Sequence, residues 1–272
     1  MNIFMLFPEG KQKALTLSYD DGVFQDIRFM RIIDKYGLKC TFNINTGCFS
    51  ETDAEKRGRL SEKQALELYS DSGHEVAVHA VSHPFLEELP THIANQEIIS
   101  DRKKIEELFG TVCRGMAYPF GTYSDDVVEL LRLNGIAYSR TAKATGGFKI
   151  PSDWLRLNPT CHHKDARLFE YCDSFLEDDR YCRPKLFYLW GHTYEFDDKD
   201  NWDIIEKFAE KMGGRDNIWY AVNIDIYDYV MAYNRLIFSA DGHKVYNPSA
   251  IPVWFSCNKE TVKVNPGETV MF

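Results

Sequence analysis

Strand-like and helix-like segments alternate along most of this chain, and this alternation limits the fold more than any other sequence feature. A helix between two strands returns the chain, so that the second strand can lie parallel to the first. The number of such units favours a parallel barrel over an open sheet. Helices are predicted at residues 25–36, 61–70, 93–109, 124–134, 166–176 and 202–211, and strands at 15–17, 39–45, 73–79, 115–118, 136–140, 154–157, 186–190 and 218–223.

The pattern changes beyond about residue 232, where short strand-like segments follow one another without helices. They lie at residues 236–239, 243–246, 252–256 and 261–264, with an Asp-Gly turn at 241–242. We therefore expect two units: a (β/α) barrel over residues 1–232 and a β-strand extension over 233–272 that packs on the barrel. The extension could complete the barrel wall, cover an edge or form a dimer interface, so the oligomeric state stays open.

The composition excludes several classes of function. The chain has 32 Lys and Arg against 41 Asp and Glu, without a basic cluster, which argues against nucleic acid as a partner. Hydrophobic residues make up 44% and suffice for a large core. The seven cysteines are scattered and odd in number, so reduced thiols are expected. No stretch reaches the ~18 apolar residues of a membrane span, and no secretory signal is recognisable, so a cytoplasmic location is expected.

Two adjacent carboxylates, Asp20 and Asp21, follow an apolar run that suits a buried strand. Gly22 allows the chain to turn directly after them, so both side chains should lie at the carboxyl end of the strand, where barrels carry their chemistry. Carboxylates this close repel each other unless a cation separates them. A metal ion bound by one, with the other left free as a base, meets this requirement. A solvated Asp-Gly turn is the competing interpretation.

A histidine pair, His79 and His83, follows the predicted strand at residues 73–79. A spacing of four residues puts two side chains on one face of a helical turn, where both imidazoles can bind one metal ion. Together with Asp21 they provide two imidazole ligands and one carboxylate, which leaves coordination positions open for water and substrate. An open site of this kind is typical of catalytic rather than structural metals.

Five short motifs, in order, resemble those of the polysaccharide deacetylase family, carbohydrate esterase family 4 with its NodB homology. The resemblance extends over roughly residues 12–225. It implies a distorted (β/α) barrel of about seven strands, whose divalent metal, most often zinc, serves to hydrolyse N-acetyl groups on amino sugars. Cobalt, nickel and manganese are alternatives to zinc. The motifs are Asp20-Asp21-Gly22, His79-x-x-x-His83, Ala117-Tyr-Pro-Phe-Gly121, Asp153-Trp154 and Leu189-Trp-Gly-His192.

The resemblance also implies a role for each of these residues. Asp20 is expected to be the general base and His192 the general acid, which protonates the departing amine. The backbone N–H of Phe120 is expected to donate a hydrogen bond to the oxyanion. The expected metal ligands are Asp21, His79 and His83.

The second and third of these motifs depart from the family's usual pattern. Ala80 stands where the second motif usually has Ser or Thr after its first histidine, and Ser82 could supply the missing hydroxyl. Ala117 stands where the third motif usually has an arginine that orients the base. Either Arg114 or Arg140 would have to replace that arginine.

The fourth motif is reduced to the dipeptide Asp153-Trp154. By resemblance, Asp153 tunes the catalytic histidine and Trp154 forms a wall of the pocket. Substrate contacts are also expected from Tyr118, His162 and Tyr194. Because adjacent side chains project in different directions, at most one histidine of the pair at 162–163 should face the site. Aromatic packing within a loop is the competing interpretation for Tyr194.

These observations lead to three hypotheses about function. The leading one is a metal-dependent hydrolase that removes N-acetyl groups from an amino sugar, an oligosaccharide or a polysaccharide. The second keeps the metal chemistry but takes a small non-peptide amide or cyclic imide, because a cytosolic enzyme rarely meets polymeric glycan. The third is a catalytically silent carbohydrate-binding barrel, suggested by the absent third-motif arginine. We therefore expect a hydrolase of carbon–nitrogen bonds other than peptide bonds, with an N-acetylated carbohydrate as its partner.

Overall fold

The structure, a computed structural model, describes residues 2–179 and 183–272. A curled sheet of parallel strands lies at its centre, with helices outside. The strands are β1 (Ile3–Leu6), β2 (Lys13–Asp20), β3 (Cys40–Ile44), β4 (Glu75–Val78), β5 (Gly115–Ala117), β6 (Tyr138–Arg140), β7 (Cys161–His162), β8 (Lys185–His192), β9 (Ile218–Tyr220), β10 (Ile237–Phe238), β11 (Lys244–Tyr246), β12 (Val253–Cys257), β13 (Glu260–Val264) and β14 (Thr269–Met271). The helices are α1 (Asp26–Lys35), α2 (Glu62–Tyr69), α3 (Thr91–Phe109), α4 (Asp125–Leu133), α5 (Leu168–Leu176), α6 (Tyr194–Asp198), α7 (Asp203–Met212) and α8 (Asn223–Asn234).

The central sheet contains β2 to β9, and its strands run parallel. Their hydrogen-bonded order is β6-β5-β4-β3-β2-β8-β7, and β9 pairs with the first residues of β2. β2 lies in the middle of this order, and every one of its residues is buried because other elements cover both of its faces. The curled parallel sheet with its outer helices confirms the predicted distorted (β/α) barrel.

The helices pack on the sheet through apolar stripes, as their periodicity predicts. In α1 the stripe consists of Phe29, Met30 and Ile33, all of which belong to the main hydrophobic core. α2 begins with a capping box. The Ser61 hydroxyl accepts a hydrogen bond from the Gln64 N–H, and the Gln64 side chain accepts one from the Ser61 N–H. Both bonds satisfy backbone donors that a helix start leaves free, which fixes where α2 begins.

Some local predictions need correction. Residues 154–157 do not form a strand: Trp154–Arg156 is a single 3-10 turn in which the consecutive side chains of Trp154 and Leu155 are both buried. Sequence reasoning missed α8, because its apolar and aromatic residues lie on all sides and leave no polar stripe. It also missed β7, which is two residues long, and α6, which is five. Elements this short are not long enough to show a periodic pattern of apolar residues in the sequence.

The carboxyl-terminal residues form the predicted β extension. It contains two small antiparallel sheets, β1-β12-β13 and β10-β11-β14. The first of these sheets includes β1, which lies near the other end of the sequence. Tyr229 on α8 connects this sheet to the barrel, because its hydroxyl donates to Leu6 O at 2.6 Å and accepts from Trp254 N at 2.9 Å. The division of the chain at residue 232 stays a prediction.

Two general expectations concern the cysteines and the membrane. The six cysteines in the described ranges are free thiols, and Cys182 lies outside those ranges. Within residues 2–179 and 183–272, no helix combines the length and the apolar character that a membrane span requires.

Candidate active site

β2 delivers Asp20 and Asp21 to the same end of the barrel. The strand ends at Asp20, and the chain then turns through Asp21 and Gly22, whose φ angles are 89° and 61°. Glycine adopts such angles without strain, and aspartate is among the residues that tolerate them best. Both carboxylates are almost completely buried, with exposures of 2% and 8%. Two buried acidic groups side by side require cationic partners, so the solvated-turn interpretation does not describe this structure.

His79 and His83 meet Asp21 at this end of the barrel. One ligand atom from each of the three residues can be chosen so that all three lie within 4.8 Å of one another. The histidines do not lie on a helical turn, as their spacing suggested. They lie instead on a loop after β4, in which Ala80 and His83 have φ angles of 62° and 59°. The two rings are 4.8 Å apart and nearly perpendicular.

The polar atoms of this group fit a divalent metal. His79 Nδ1 lies 2.8 Å from the carbonyl oxygen of Ala117, so Nδ1 carries the proton and Nε2 presents a lone pair. His79 Nε2 is buried and makes no hydrogen bond within the protein. Burial lowers the pKa of His79 to about 4, so the ring is neutral at pH 7. Neutral imidazoles and a carboxylate are the donors that zinc and related ions take.

Arg59 is the cation nearest to Asp21. Its NH1 atom lies 2.9 Å from Asp21 Oδ1 and 3.1 Å from Asn45 Oδ1, and it also donates to the backbone oxygen of Asp21. Sequence reasoning missed this residue, because the loop that carries it has no recognisable motif. Arg59 compensates part of the negative charge that Asp20 and Asp21 bring to this turn.

Asp20 is the second carboxylate, and Arg140 pairs with it. The Arg140 guanidinium binds Asp20 Oδ2, and Asn43 Nδ2 donates to Oδ1 at 2.8 Å. Burial is the largest influence and would raise the pKa of Asp20, but the charges of Arg140, His79 and His192 together with the hydrogen bond from Arg140 hold this pKa below its usual value. Of the two arginines considered as replacements for the third-motif arginine, Arg140 is therefore the one that contacts Asp20. Arg114, the other candidate, pairs with Asp228 instead.

His192 lies on the other side of Asp20, at the end of β8. Its Nε2 atom is 3.8 Å from Asp20 Oδ2, the same distance as His79 Nε2. Its Nδ1 atom is 3.5 Å from Glu195 Oε1. Burial alone would lower the pKa of His192, but the contact with Glu195 and the charge of Asp20 raise it overall. Asp20 thus has the neutral ring of His79 on one side and His192, whose pKa is raised, on the other.

Asp153 does not have the place expected for it. Its carboxylate is half exposed and pairs with Arg156 at 2.9 Å, and no ion pair joins it to His192 in the described ranges. Glu195 takes the position beside the imidazole. The sequence contained a signal for this, because the spacing His192-x-x-Glu195 brings the two side chains together across the first turn of α6.

Glu195 is also the centre of a second polar cluster. The Nε2 atoms of His162 and His163 lie 3.3 Å and 3.1 Å from its Oε2, and the Lys164 ammonium binds its Oε1. Burial would raise the pKa of Glu195, but the contacts with His163, His192 and Lys164 hold it far below its usual range. The carboxylate is therefore ionised.

This second cluster has the composition of a metal site, but its proton positions favour hydrogen bonding. The backbone N–H of Lys164 donates to His162 Nδ1 at 3.1 Å. Burial lowers the pKa of His162 to about 3, so the neutral ring must carry its proton on Nε2, facing Glu195. Both histidines thus reach Glu195, contrary to the expectation that only one would face the site. The reason is that β7 ends at His162, so the alternation of a strand does not extend to His163.

The expected substrate-contacting residues are divided between the core and the site. Tyr118 is buried, and its hydroxyl donates to Leu155 O at 2.7 Å. Trp154 is also buried and packs edge-on against Tyr227 at 5.3 Å. Neither therefore forms the pocket wall. Trp190, rather than Trp154, is in contact with His162 and His192.

Trp190 and Tyr194 lie close to the histidines of the site. The Trp190 ring is 4.5 Å from His162 and 5.7 Å from His192, and the Arg140 guanidinium lies 4.3 Å over it. Trp190 precedes His192 by two residues in β8, so a strand period of two puts both on the same face. Tyr194 lies 5.3 Å from His192 and lines a cavity of about 350 Å³ beside Asp21.

Hydrogen bonds to the loop after β4 hold the two histidines in place. Asp101 on α3 accepts a hydrogen bond from the His79 N–H at 3.0 Å, and Asn45 donates to the carbonyl oxygens of His79 and Ala80. Ser82 donates to Glu97 through its N–H and its hydroxyl, both at 2.8 Å. Ser82 therefore braces the loop, as expected from the absence of a hydroxyl at Ala80.

Comparison with known proteins agrees with this geometry. Residues 8–139 match the family model described as polysaccharide deacetylase. No protein among those with curated descriptions matches the chain in sequence. The match confirms the predicted resemblance to the polysaccharide deacetylase family. The expected enzyme class, a hydrolase of carbon–nitrogen bonds other than peptide bonds, agrees with this match.

Two solved structures share this fold, and a third matches only part of the chain. A putative polysaccharide deacetylase from Mycobacterium smegmatis is 15% identical with a TM-score of 0.59, over 86% of this chain and 96% of that one. A pseudoenzyme of carbohydrate esterase family 4 from Bacillus anthracis is 15% identical with a TM-score of 0.50, over 84% and 69%. The deacetylase PplD from Streptococcus pyogenes, in complex with acetate, is 24% identical with a TM-score of 0.47, over 52% of this chain; the chain covers 61% of PplD.

Proposed function

We propose that this protein is a metal-dependent hydrolase that removes N-acetyl groups from an amino sugar, an oligosaccharide or a polysaccharide. One observation carries the proposal. Asp20 has Arg140 as its charge partner and lies 3.8 Å from both His79 and His192, while the adjacent Asp21 faces His83. A base, an acid and a set of metal ligands thus occupy one end of the barrel. The B. anthracis pseudoenzyme has the same fold, so the proposal rests on these side chains rather than on the fold.

Asp21, His79 and His83 would hold the divalent metal, for which zinc is the first candidate and cobalt, nickel and manganese are alternatives. When bound, such an ion polarises the amide carbonyl and lowers the pKa of a water molecule. His79 Nε2, a buried atom without a hydrogen-bond partner, supports this assignment. Because Arg59 also contacts Asp21, the Asp21 carboxylate would interact with the metal ion and with the guanidinium together.

Asp20 would act as the general base. Its pKa lies below the usual value, so the carboxylate is ionised at neutral pH and can accept the proton of the attacking water. Arg140 and Asn43 each hold one of its oxygens, which fixes the orientation of the carboxylate. Arg140 would thereby do what the missing third-motif arginine does in the family.

His192 would act as the general acid and protonate the departing amine. Its raised pKa keeps a larger share of the ring protonated near pH 7 than an ordinary histidine has. Glu195 would be its positioning residue, because the carboxylate lies 3.5 Å from Nδ1 and leaves Nε2 to face the reaction. The backbone N–H of Phe120 would donate to the oxygen that becomes negative.

Substrate contacts are proposed for Tyr194 and His162, which lie beside His192, and for Trp190, which forms a wall. Tyr118 and Trp154 would support this pocket from the core rather than touch the sugar. The substrate would be an N-acetylated carbohydrate whose acetamido group reaches the metal ligands.

Acetate release from a panel of N-acetylated mono- and oligosaccharides tests the proposal. Metal-stripped protein should be inactive and should regain activity with zinc, cobalt, nickel or manganese. Asp21→Ala and His79→Ala should abolish the regained activity, whereas the matched control Asp153→Ala should retain it. Tight metal binding without acetate release would refute the deacetylase. Turnover of small amides or imides by the same protein would then favour the small-amide hydrolase. No turnover of any of these substrates would favour the catalytically silent carbohydrate-binding barrel.

A further inference from the structure

Asp26, the first residue of α1, is a buried acid that the proposed mechanism does not use. Its exposure is 0%, and in the described ranges no Lys, Arg or His forms an ion pair with it. Burial raises the pKa of Asp26 to about 7. A carboxyl group without a cation is costly to bury, so an uncharged residue would suit a purely structural position better.

Three donors satisfy the Asp26 carboxylate in place of a cation. Oδ2 accepts from the Val23 N–H at 3.1 Å and from the Tyr69 hydroxyl at 2.6 Å, and Oδ1 accepts from the Thr193 hydroxyl. Hydroxyl groups both donate and accept, so Tyr69 and Thr193 can stay its partners whether the carboxyl group is ionised or protonated.

Two of these partners come from the two sides of the active site. Val23 follows the proposed metal ligand Asp21 by two residues, and Thr193 directly follows His192. The backbone pairing of β2 with β8 ends at Asp20 and His192. Asp26 therefore continues the connection between these two strands beyond their last backbone pair.

Gln25 makes a second connection beside that of Asp26. Its Nε2 atom donates to Asp197 Oδ2 on α6 at 2.7 Å and to the carbonyl oxygen of Lys56 at 3.3 Å. α6 is five residues long, and a helix this short is not stable by itself. The place of α6, and of the turn before it that carries the catalytic histidine, therefore depends on contacts of this kind.

We propose that Asp26 is a positioning residue that holds His192 beside Asp20 by binding the Thr193 hydroxyl. This inference rests on the proposed function, in which His192 protonates the departing amine. Proton transfer requires the acid within hydrogen-bond reach of the leaving group, so a small displacement of the imidazole lowers the rate steeply. Asp26 makes no hydrogen bond to His192 itself, and its effect passes through Thr193.

The test removes one hydrogen bond at a time from the same carboxylate. Thr193→Val removes the hydroxyl next to His192, and Thr193→Ser keeps it. Tyr69→Phe is the matched control, because it removes a hydroxyl that binds the other oxygen of Asp26 from α2. The measured quantities are kcat and KM for acetate release from an N-acetylated sugar by metal-restored protein.

Thr193→Val should lower kcat about tenfold to hundredfold and leave KM nearly unchanged. Thr193→Ser and Tyr69→Phe should stay within about threefold of the parent, because both keep the bond between Asp26 and residue 193. In Asp26→Ala, adding Thr193→Val should cause no further loss, because both changes break the same hydrogen bond. An unchanged kcat in Thr193→Val, an equal loss in Tyr69→Phe or a further loss in the double variant would overturn the positioning role.

An aryl acetate separates positioning of the acid from a general loss of structure. Its leaving group departs as a stable anion and needs no proton from His192, whereas the departing amine of an acetamide does. Thr193→Val should therefore keep most of its rate on the aryl acetate while it loses its rate on the N-acetylated sugar. Equal losses on the two substrates would overturn the inference.

Crystal structures of the metal-free variants distinguish this inference from the proposed function. The quantity compared is the distance between His192 Nε2 and Asp20 Oδ2, which is 3.8 Å. A displaced imidazole in Thr193→Val, with the imidazole of Tyr69→Phe in place, supports the positioning of His192 even if the parent releases no acetate and the proposed function fails. An unmoved imidazole in Thr193→Val would overturn the positioning role and leave the deacetylase standing.

Discussion

Replacing Arg140 by methionine removes the partner of a buried carboxylate while keeping an unbranched apolar side chain over Trp190. The side chains of Arg140 and Asp20 are 1% and 3% exposed, so water cannot take the place of the guanidinium. Removing one member of a buried ion pair typically costs about 3–5 kcal/mol. Asn43 still donates to Asp20 Oδ1, but Oδ2 would keep only the two histidines at 3.8 Å. We expect a loss of about 3 kcal/mol or more in the free energy of unfolding.

Asp20→Asn leaves the guanidinium buried without its carboxylate and should cost a similar amount. The double variant Asp20→Asn, Arg140→Met has no buried charge left at this place. We therefore expect it to be more stable than the sum of the two single losses by about 1–3 kcal/mol, the range of coupling between residues in contact. Urea unfolding of metal-free protein measures all four free energies, because a bound metal would add its own stabilisation of the native state.

The pH dependence of the same loss provides a second check. The folded-state pKa of Asp20 lies below the unfolded value, so the stability that the pair contributes is present above about pH 4 and disappears as the pH falls through the folded pKa. The penalty of Arg140→Met should therefore be largest at pH 7 and smaller in acid. Additive losses in the double variant, or a penalty independent of pH, would refute the assignment of Arg140 as the charge partner of Asp20.

Three more predictions concern residues around the site. Glu195→Gln should lower the pKa of His192 and move the alkaline limb of the profile of kcat/KM against pH to lower pH, whereas Asp153→Asn should leave that limb in place. Gly191→Ala would put a Cβ 2.0 Å from His163 Nδ1 and should lower the free energy of unfolding in urea by about 1–3 kcal/mol, while Gly147→Ala, with no atom within 4 Å, should not. Burial raises the pKa of Glu75 from 4.5 to about 7, so the native state binds this proton more tightly and loses stability as the pH rises from 4.5 to about 7. Glu75→Gln should reduce that slope in urea midpoints measured across this range, and an unchanged slope would contradict the assignment.

The sequence was sufficient for the barrel because its elements are long and regular. The six predicted helices each bury one face, and β2 is a fully buried strand that ends at the first of the two carboxylates. The motif spacings also brought Asp21, His79 and His83 into one predicted group, and the structure has them together. Patterns that extend over several turns or a full strand average out local exceptions.

The errors arose where a prediction depended on two or three residues. Asp153-Trp154 is only a dipeptide, and the structure has it at a 3-10 turn, with Glu195 beside His192 instead. The choice between Arg114 and Arg140 was open because sequence does not show which side chain crosses the barrel. The predicted strand at 136–140 ends on Arg140, and this position at a carboxyl end would have favoured it. The loop that carries His79 and His83 depends on positive φ angles, which no pattern in the sequence reveals.

The pairing of β1 with β12 has a consequence for the order in which the chain folds. During synthesis β1 is made before its partner strand β12, so Ile3–Leu6 lacks this neighbour while all the residues between the two strands are translated. β2 also lacks two of its partner strands for much of translation, because β8 and β9 begin only at Lys185 and Ile218. Contacts between residues so far apart in sequence slow folding and leave apolar strands open to association with other chains. We expect nascent forms of this protein to rely on chaperones until β12 has been synthesised.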